Sequence, residues 1–94
     1  MLNAPFQSTD LFKTILNLES IDECEKFFRD LMTISELEAI SERWEIAKLI
    51  NEGISYRKIS EQTGASTATV TRVAQWLNHG MGGYRMMLEK KINR

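Results

Sequence analysis

The stretch SYRKISEQTGASTATVTRVAQWL, residues 55–77, decides the fold. With Tyr56 as the first of twenty positions, Ile59, Thr63, Ala65, Val70 and Val73 fall on the inward side of two short helices joined by a turn. Ser60 stands where the first helix needs a small side chain, because the second helix crosses close to it. Gly64 occupies the turn, where a positive φ is needed and a residue without Cβ accepts it at no steric cost. The outward start of the second helix carries Thr67, Ala68, Thr69 and Thr71, short side chains that let a helix lie deep in the major groove. No single sign is specific. Their joint spacing predicts a helix-turn-helix that binds DNA.

The charge distribution agrees with that reading. The chain has a formal net charge of −1, which hides an asymmetry. Residues 1–53 hold eleven Asp and Glu against five Lys and Arg, whereas residues 54–94 hold two against seven. Phosphate attraction is local, screened within about 8–10 Å at physiological salt, so the sign of the helix-turn-helix half matters more than the total. Arg57, Lys58 and Arg72 are the candidates for phosphate or guanine contact, and Ser66, just ahead of the second helix, is counted with them. Arg72 is equally placed to pair with Glu42 or Glu45.

Ninety-four residues, 43% hydrophobic and 27% charged, fit one small soluble domain with a modest core. The lone Cys24 excludes an intramolecular disulfide, and its place beside Phe27 and Phe28 predicts a buried small hydrophobe in a reducing compartment. No apolar run approaches the roughly 18 residues of a membrane span. The first twenty residues lack the charged start and apolar centre of a secretory signal, so the expected location is the cytoplasm.

Outward from residues 55–77, every long segment reads as helix. Met1 to Ser8, with the only proline at Pro5, is a loose lead-in. Thr9 or Asp10 caps a first helix running through Leu18. Ser20-Ile21-Asp22-Glu23 is a capping box that starts a second helix with Ile21, Cys24, Phe27, Phe28 and Leu31 on one side. Thr33 breaks the pattern, and Ser35 to Glu38 is a second capping box. The third helix then runs to about Glu52, with Leu37, Ile40, Trp44, Ala47 and Ile50 inward and Gly53 as its stop. The helix-turn-helix occupies about residues 56–62 and 67–78, and Asn78-His79-Gly80 ends it. A Gly82-Gly83 break precedes a sixth helix from Tyr84 to Ile92. The fold class is all-α with six helices in one domain: residues 1–53 for dimerisation, 54–78 for DNA and 79–94 for dimerisation again.

The apolar stripes exceed what one bundle of this size buries. Leu11, Phe12, Ile15, Leu16, Ile21, Phe27, Phe28 and Leu31 lie near the start, and Tyr84, Met86, Met87, Leu88 and Ile92 near the end. A closed two-fold homodimer would bury them and set two recognition helices about one DNA turn apart.

Residues 64–77, GASTATVTRVAQWL, and 31–44, LMTISELEAISERW, with Gly53 and Ser55-x-Arg57, resemble the tryptophan-repressor-like family, most closely its YerC/YecD branch. The resemblance covers residues 31–77 well and the rest loosely. It implies an intertwined six-helix homodimer that represses transcription by covering a double-stranded DNA operator. It places Thr67, Ala68 and Thr69 at base edges and Thr71 near the backbone. In that family the indole of tryptophan lies between two arginines with a threonine nearby, and these fall on Arg43, Arg72 and Thr33. Two neighbours depart from the pattern, Val73 for a glycine and Trp76 for a small serine. The added volume implies that the protein's own side chains fill the slot, Trp76 stacking on Arg72, and that tryptophan or another small co-repressor is not required.

No phosphate-binding glycine loop, metal-ligand spacing or nucleophile elbow is present, and the single His79 sits at a helix end. The chain is therefore not read as an enzyme and carries no candidate catalytic or metal-binding residue. The alternative of another class is a helical adaptor whose basic half docks an acidic protein.

Overall fold

A computed structural model describes residues 8–90, and its regular structure is entirely helical. The order is α1 (Thr9–Ile15), α2 (Ile21–Leu31), α3 (Ile34–Asn51), α4 (Tyr56–Thr63), α5 (Thr67–His79) and α6 (Gly83–Lys90). The chain divides after Ile34 into two units, α1 and α2 in the first and, apart from the first residue of α3, the other four helices in the second. The lead-in before Ser8, Lys91, Arg94 and the expected helix end at Ile92 lie outside the described residues.

Serine side chains set the starts of α2, α4 and α5. The hydroxyls of Ser20, Ser55 and Ser66 accept from the backbone N–H groups of Glu23, Lys58 and Thr69 at 3.0, 3.2 and 3.1 Å, satisfying donors that a first helical turn leaves unpaired. The box at Ser20 closes one residue early, since the Glu23 carboxylate accepts from the Glu19 N–H at 2.8 Å. The expected box at Ser35 is displaced. Helix α3 begins at Ile34, and Thr33 directly before it stands in the same three-residue spacing to Glu36 as a capping box requires. Helix α1 follows Ser8 and stops at Ile15 rather than Leu18, because the N–H groups of Asn17 and Leu18 turn to carbonyls three residues back.

The end of α3 decides where the helix-turn-helix begins. Gly53 has φ +86°, its N–H donates to the Ile50 carbonyl at 3.0 Å, and the Ile54 N–H donates to the Leu49 carbonyl at 3.1 Å. This is a Schellman stop, with Leu49 and Ile54 both packed against the core. The chain then turns directly into Ser55 and α4.

One cluster forms the core of the second unit. Ile46 and Ala47 of α3, Ile59 of α4, Ala65 of the turn, and Val70 and Val73 of α5 are buried together. Trp44, Leu49, Ile50, Ile54 and Tyr84 pack around them, with Trp44 and Tyr84 stacked at 6.5 Å between ring centroids. Ala74, Leu77 and Leu88 are buried as well, and α5 touches both α4 and α6. Ile46 belongs to the buried face of α3 and Ile40 does not, at 37% exposure. The reason is length. An 18-residue helix is about 27 Å long and the eight residues of α4 span about 12 Å, so only part of α3 finds cover.

Helices α1 and α2 contain no buried residue. Leu16 and Ile21 are 83% and 79% exposed, and Cys24 is half-buried rather than buried. Phe27 and Phe28 meet edge to face at 5.6 Å.

Candidate nucleic-acid interface

The turn between α4 and α5 is held from both sides. Gly64 has φ +82° and donates its N–H to the Ser60 carbonyl at 2.9 Å, ending α4. The Ser60 hydroxyl donates to the Ala65 carbonyl at 2.5 Å. The Thr63 hydroxyl donates to the Ile59 carbonyl at 2.8 Å and accepts from the Ala65 N–H at 3.2 Å. A small residue at position 60 thus lets the helices approach and also ties the turn that separates them.

Held this way, α5 turns Val70, Val73, Ala74 and Leu77 inward and leaves Thr67, Ala68, Thr71 and Arg72 exposed. Thr69 is half-buried, with its hydroxyl oxygen 3.1 Å from that of Ser66. Ser66 is thus the cap of α5, a role its oxygen fills whatever else the exposed side chain meets.

Arg57 and Lys58 are exposed on the first turn of α4. Arg57 reaches toward Glu61 at 4.0 Å with side chains 85% and 67% exposed, a pair too wet and too long to hold the guanidinium. Lys58 and Arg72 form no ion pair among the described residues, so the alternative of Arg72 tied to Glu42 or Glu45 is not realised. Glu45 pairs instead with Lys48 at 3.1 Å, one turn along the same helix. The first turns of α1, α2 and α3 carry Asp10, Asp22 with Glu23, and Glu36, whereas those of α4 and α5 carry no carboxylate. A helix N-terminus without its own carboxylate leaves its partial positive charge for an outside anion.

The residues expected to line a ligand pocket are distributed differently. Val73 is in the core at 2% exposure, Arg43 and Arg72 are exposed, and Thr33 lies in the first unit. Trp76 is 58% exposed and in neither ring pair of the described residues, nor stacked on Arg72. Its position one turn beyond Arg72 and next to buried Leu77 puts the indole on the outer side of α5. An open cleft of about 410 Å³ between α3 and α4 is walled by Ser41, Glu42, Glu45, Leu49, Gln62 and Thr63, and a smaller one of about 140 Å³ lies between α3 and α6. Neither includes Arg43, Arg72, Val73 or Trp76.

The sequence model of the family described as Trp repressor protein matches residues 7–92. The chain belongs to this family. The Trp repressor-like chain is 46% identical over 80 residues to YerC of Bacillus subtilis (strain 168), an uncharacterized protein, covering 85% of this chain and 77% of the relative, which places it with the YerC branch. A TrpR-like protein from Eubacterium eligens ATCC 27750 superposes with a TM-score of 0.83 at 42% identity, over 92% of this chain and 90% of that one. A protein from Staphylococcus aureus proposed to be a Trp repressor gives 0.83 at 43% identity, over 87% and 82%. The fold is thus the all-α Trp repressor-like fold, and the family is one of regulators rather than enzymes. Among the described residues no helix is long and apolar enough to cross a membrane.

Proposed function

We propose that the chain is a sequence-specific DNA-binding transcriptional regulator, a repressor that covers its operator as a homodimer in the cytoplasm. The observation that carries this reading is the first turn of α5. Short exposed side chains at Thr67, Ala68 and Thr71 ride on a helix anchored by Val70 and Val73, with no carboxylate to repel phosphate. In this reading Thr67, Ala68 and Thr69 meet base edges, Thr71 and Arg72 lie toward the backbone, and Arg57 and Lys58 hold the flanking strand.

The homodimer is supported by the uncovered apolar residues of α1 and α2, which a second copy would bury. Tryptophan is not a required co-repressor in this proposal. The position that must stay open for an indole carries Val73, already packed among Ile46, Ile59 and Val70.

Selection of bound duplexes from a random pool, followed by footprinting, tests the proposal. One site with two-fold symmetry should emerge, bound with an affinity that falls steeply as salt rises. Capture of an acidic protein with no preferred duplex would replace the proposal by the adaptor reading.

A further inference from the structure

The two tyrosines of the chain have opposite environments. Tyr84 is half-buried and stacked on Trp44, a packing role that accounts for it. Tyr56, the first residue of α4, is 42% exposed, and among the described residues its ring has no aromatic partner and its hydroxyl no hydrogen bond. A tyrosine hydroxyl both donates and accepts, and Tyr56 precedes the exposed Arg57 and Lys58 in the first turn of α4. The neighbouring hydroxyl, that of Ser55, accepts from the Lys58 N–H as the cap of α4, which holds its oxygen at the helix start. Within the opening turn of this helix Tyr56 thus offers an exposed phenol donor whose hydrogen bond is uncommitted.

We infer that the Tyr56 hydroxyl donates a hydrogen bond to a DNA backbone phosphate, acting as a neutral clamp that fixes α4 across the strand while α5 enters the groove. The inference rests on the proposed DNA-binding function and adds a contact to it. In a helix-turn-helix the first helix crosses the backbone when the second lies in the major groove, which brings the start of α4 to the phosphates. The neutral character gives the contact its own signature. A lysine on a phosphate displaces a condensed counterion and so contributes to the salt dependence of binding, whereas a phenol contributes affinity and orientation without that term. Because phosphates carry no base identity, the contact acts on every duplex alike.

The test compares wild-type protein with Tyr56→Phe, Lys58→Ala and Tyr84→Phe, using fluorescence anisotropy on the selected duplex and on an unrelated one across a salt series. Tyr56→Phe should weaken both duplexes about three- to tenfold per half-site and leave the slope of log affinity against log salt unchanged. Lys58→Ala should lower that slope by about 1 per half-site, and Tyr84→Phe should match wild type. Circular dichroism of Tyr56→Phe should overlay the wild-type spectrum. Wild-type affinity in Tyr56→Phe overturns the inference, as does a loss that comes with altered helicity or a changed slope. A loss confined to the selected duplex makes Tyr56 a base reader and overturns it too. Wild-type protein that binds no duplex removes the proposed function itself, and the inference with it.

Discussion

The Ser66 hydroxyl accepts the Thr69 N–H at 3.1 Å, and the side-chain oxygens of the two residues lie 3.1 Å apart. One serine thus starts α5 and also restrains the rotamer of the threonine proposed to face the bases. Ser66→Ala should lower stability by about 1 kcal/mol, the usual worth of a serine cap, and the thermal midpoint by about 4–8 °C. It should also blunt duplex preference, because Thr69 is freed to rotate. Thermal unfolding with competition binding reads both, and an unchanged midpoint would dismiss the cap.

Thr69→Ala and Lys58→Ala should separate base reading from phosphate attraction. Loss of a base-edge contact should cost the preferred duplex about 1–3 kcal/mol and leave unrelated duplexes nearly unaffected. Lys58→Ala should weaken all duplexes about equally. If both variants keep the wild-type footprint, α5 is not the reading helix.

Gly64→Ala tests the turn. Nothing lies within 4 Å of the added Cβ, so the cost is conformational, about 1–2 kcal/mol for holding an alanine at φ +82°. Urea unfolding should show that loss. Stability equal to wild type would mean that the turn relaxes readily out of the left-handed region.

Leu16→Glu and Ile21→Glu probe the proposed dimer. Both side chains are about four-fifths exposed in the single chain, so the charge costs little in a monomer and much in a dry interface. Wild-type protein should sediment at twice the chain mass at micromolar concentration, and the double variant at the chain mass. A clean wild-type monomer of ordinary stability would rule the homodimer out.

Calorimetry with tryptophan tests the closed slot. Crowding by Val73 is expected to cost about 1–3 kcal/mol, roughly one to two decades of affinity, so no saturable binding should appear at tens of micromolar. Saturable binding, with affinity for the operator rising in step, would show an open slot and a co-repressor.

Much of this molecule is determined by local sequence. The positions of α4, the turn and α5 follow from Ile59, Gly64, Val70 and Val73, because both 3.6-residue periodicity and a positive φ leave a mark on residue choice within one or two helical turns. The Gly53 stop follows for the same reason. Tertiary structure decided what depends on the neighbours available. Ile40 is left partly exposed and Ile46 buried because α4 and α5 cover only part of α3, a matter of helix lengths that periodicity along α3 alone does not carry. Trp76 stands outside for a similar reason, since the extent of the inward arc of α5 is chosen by what packs against it. The capping role of Ser66 was set once the Thr69 N–H was placed beside its hydroxyl. Periodicity proposes a face for each helix; the packed partner sets how far along the helix that face is buried.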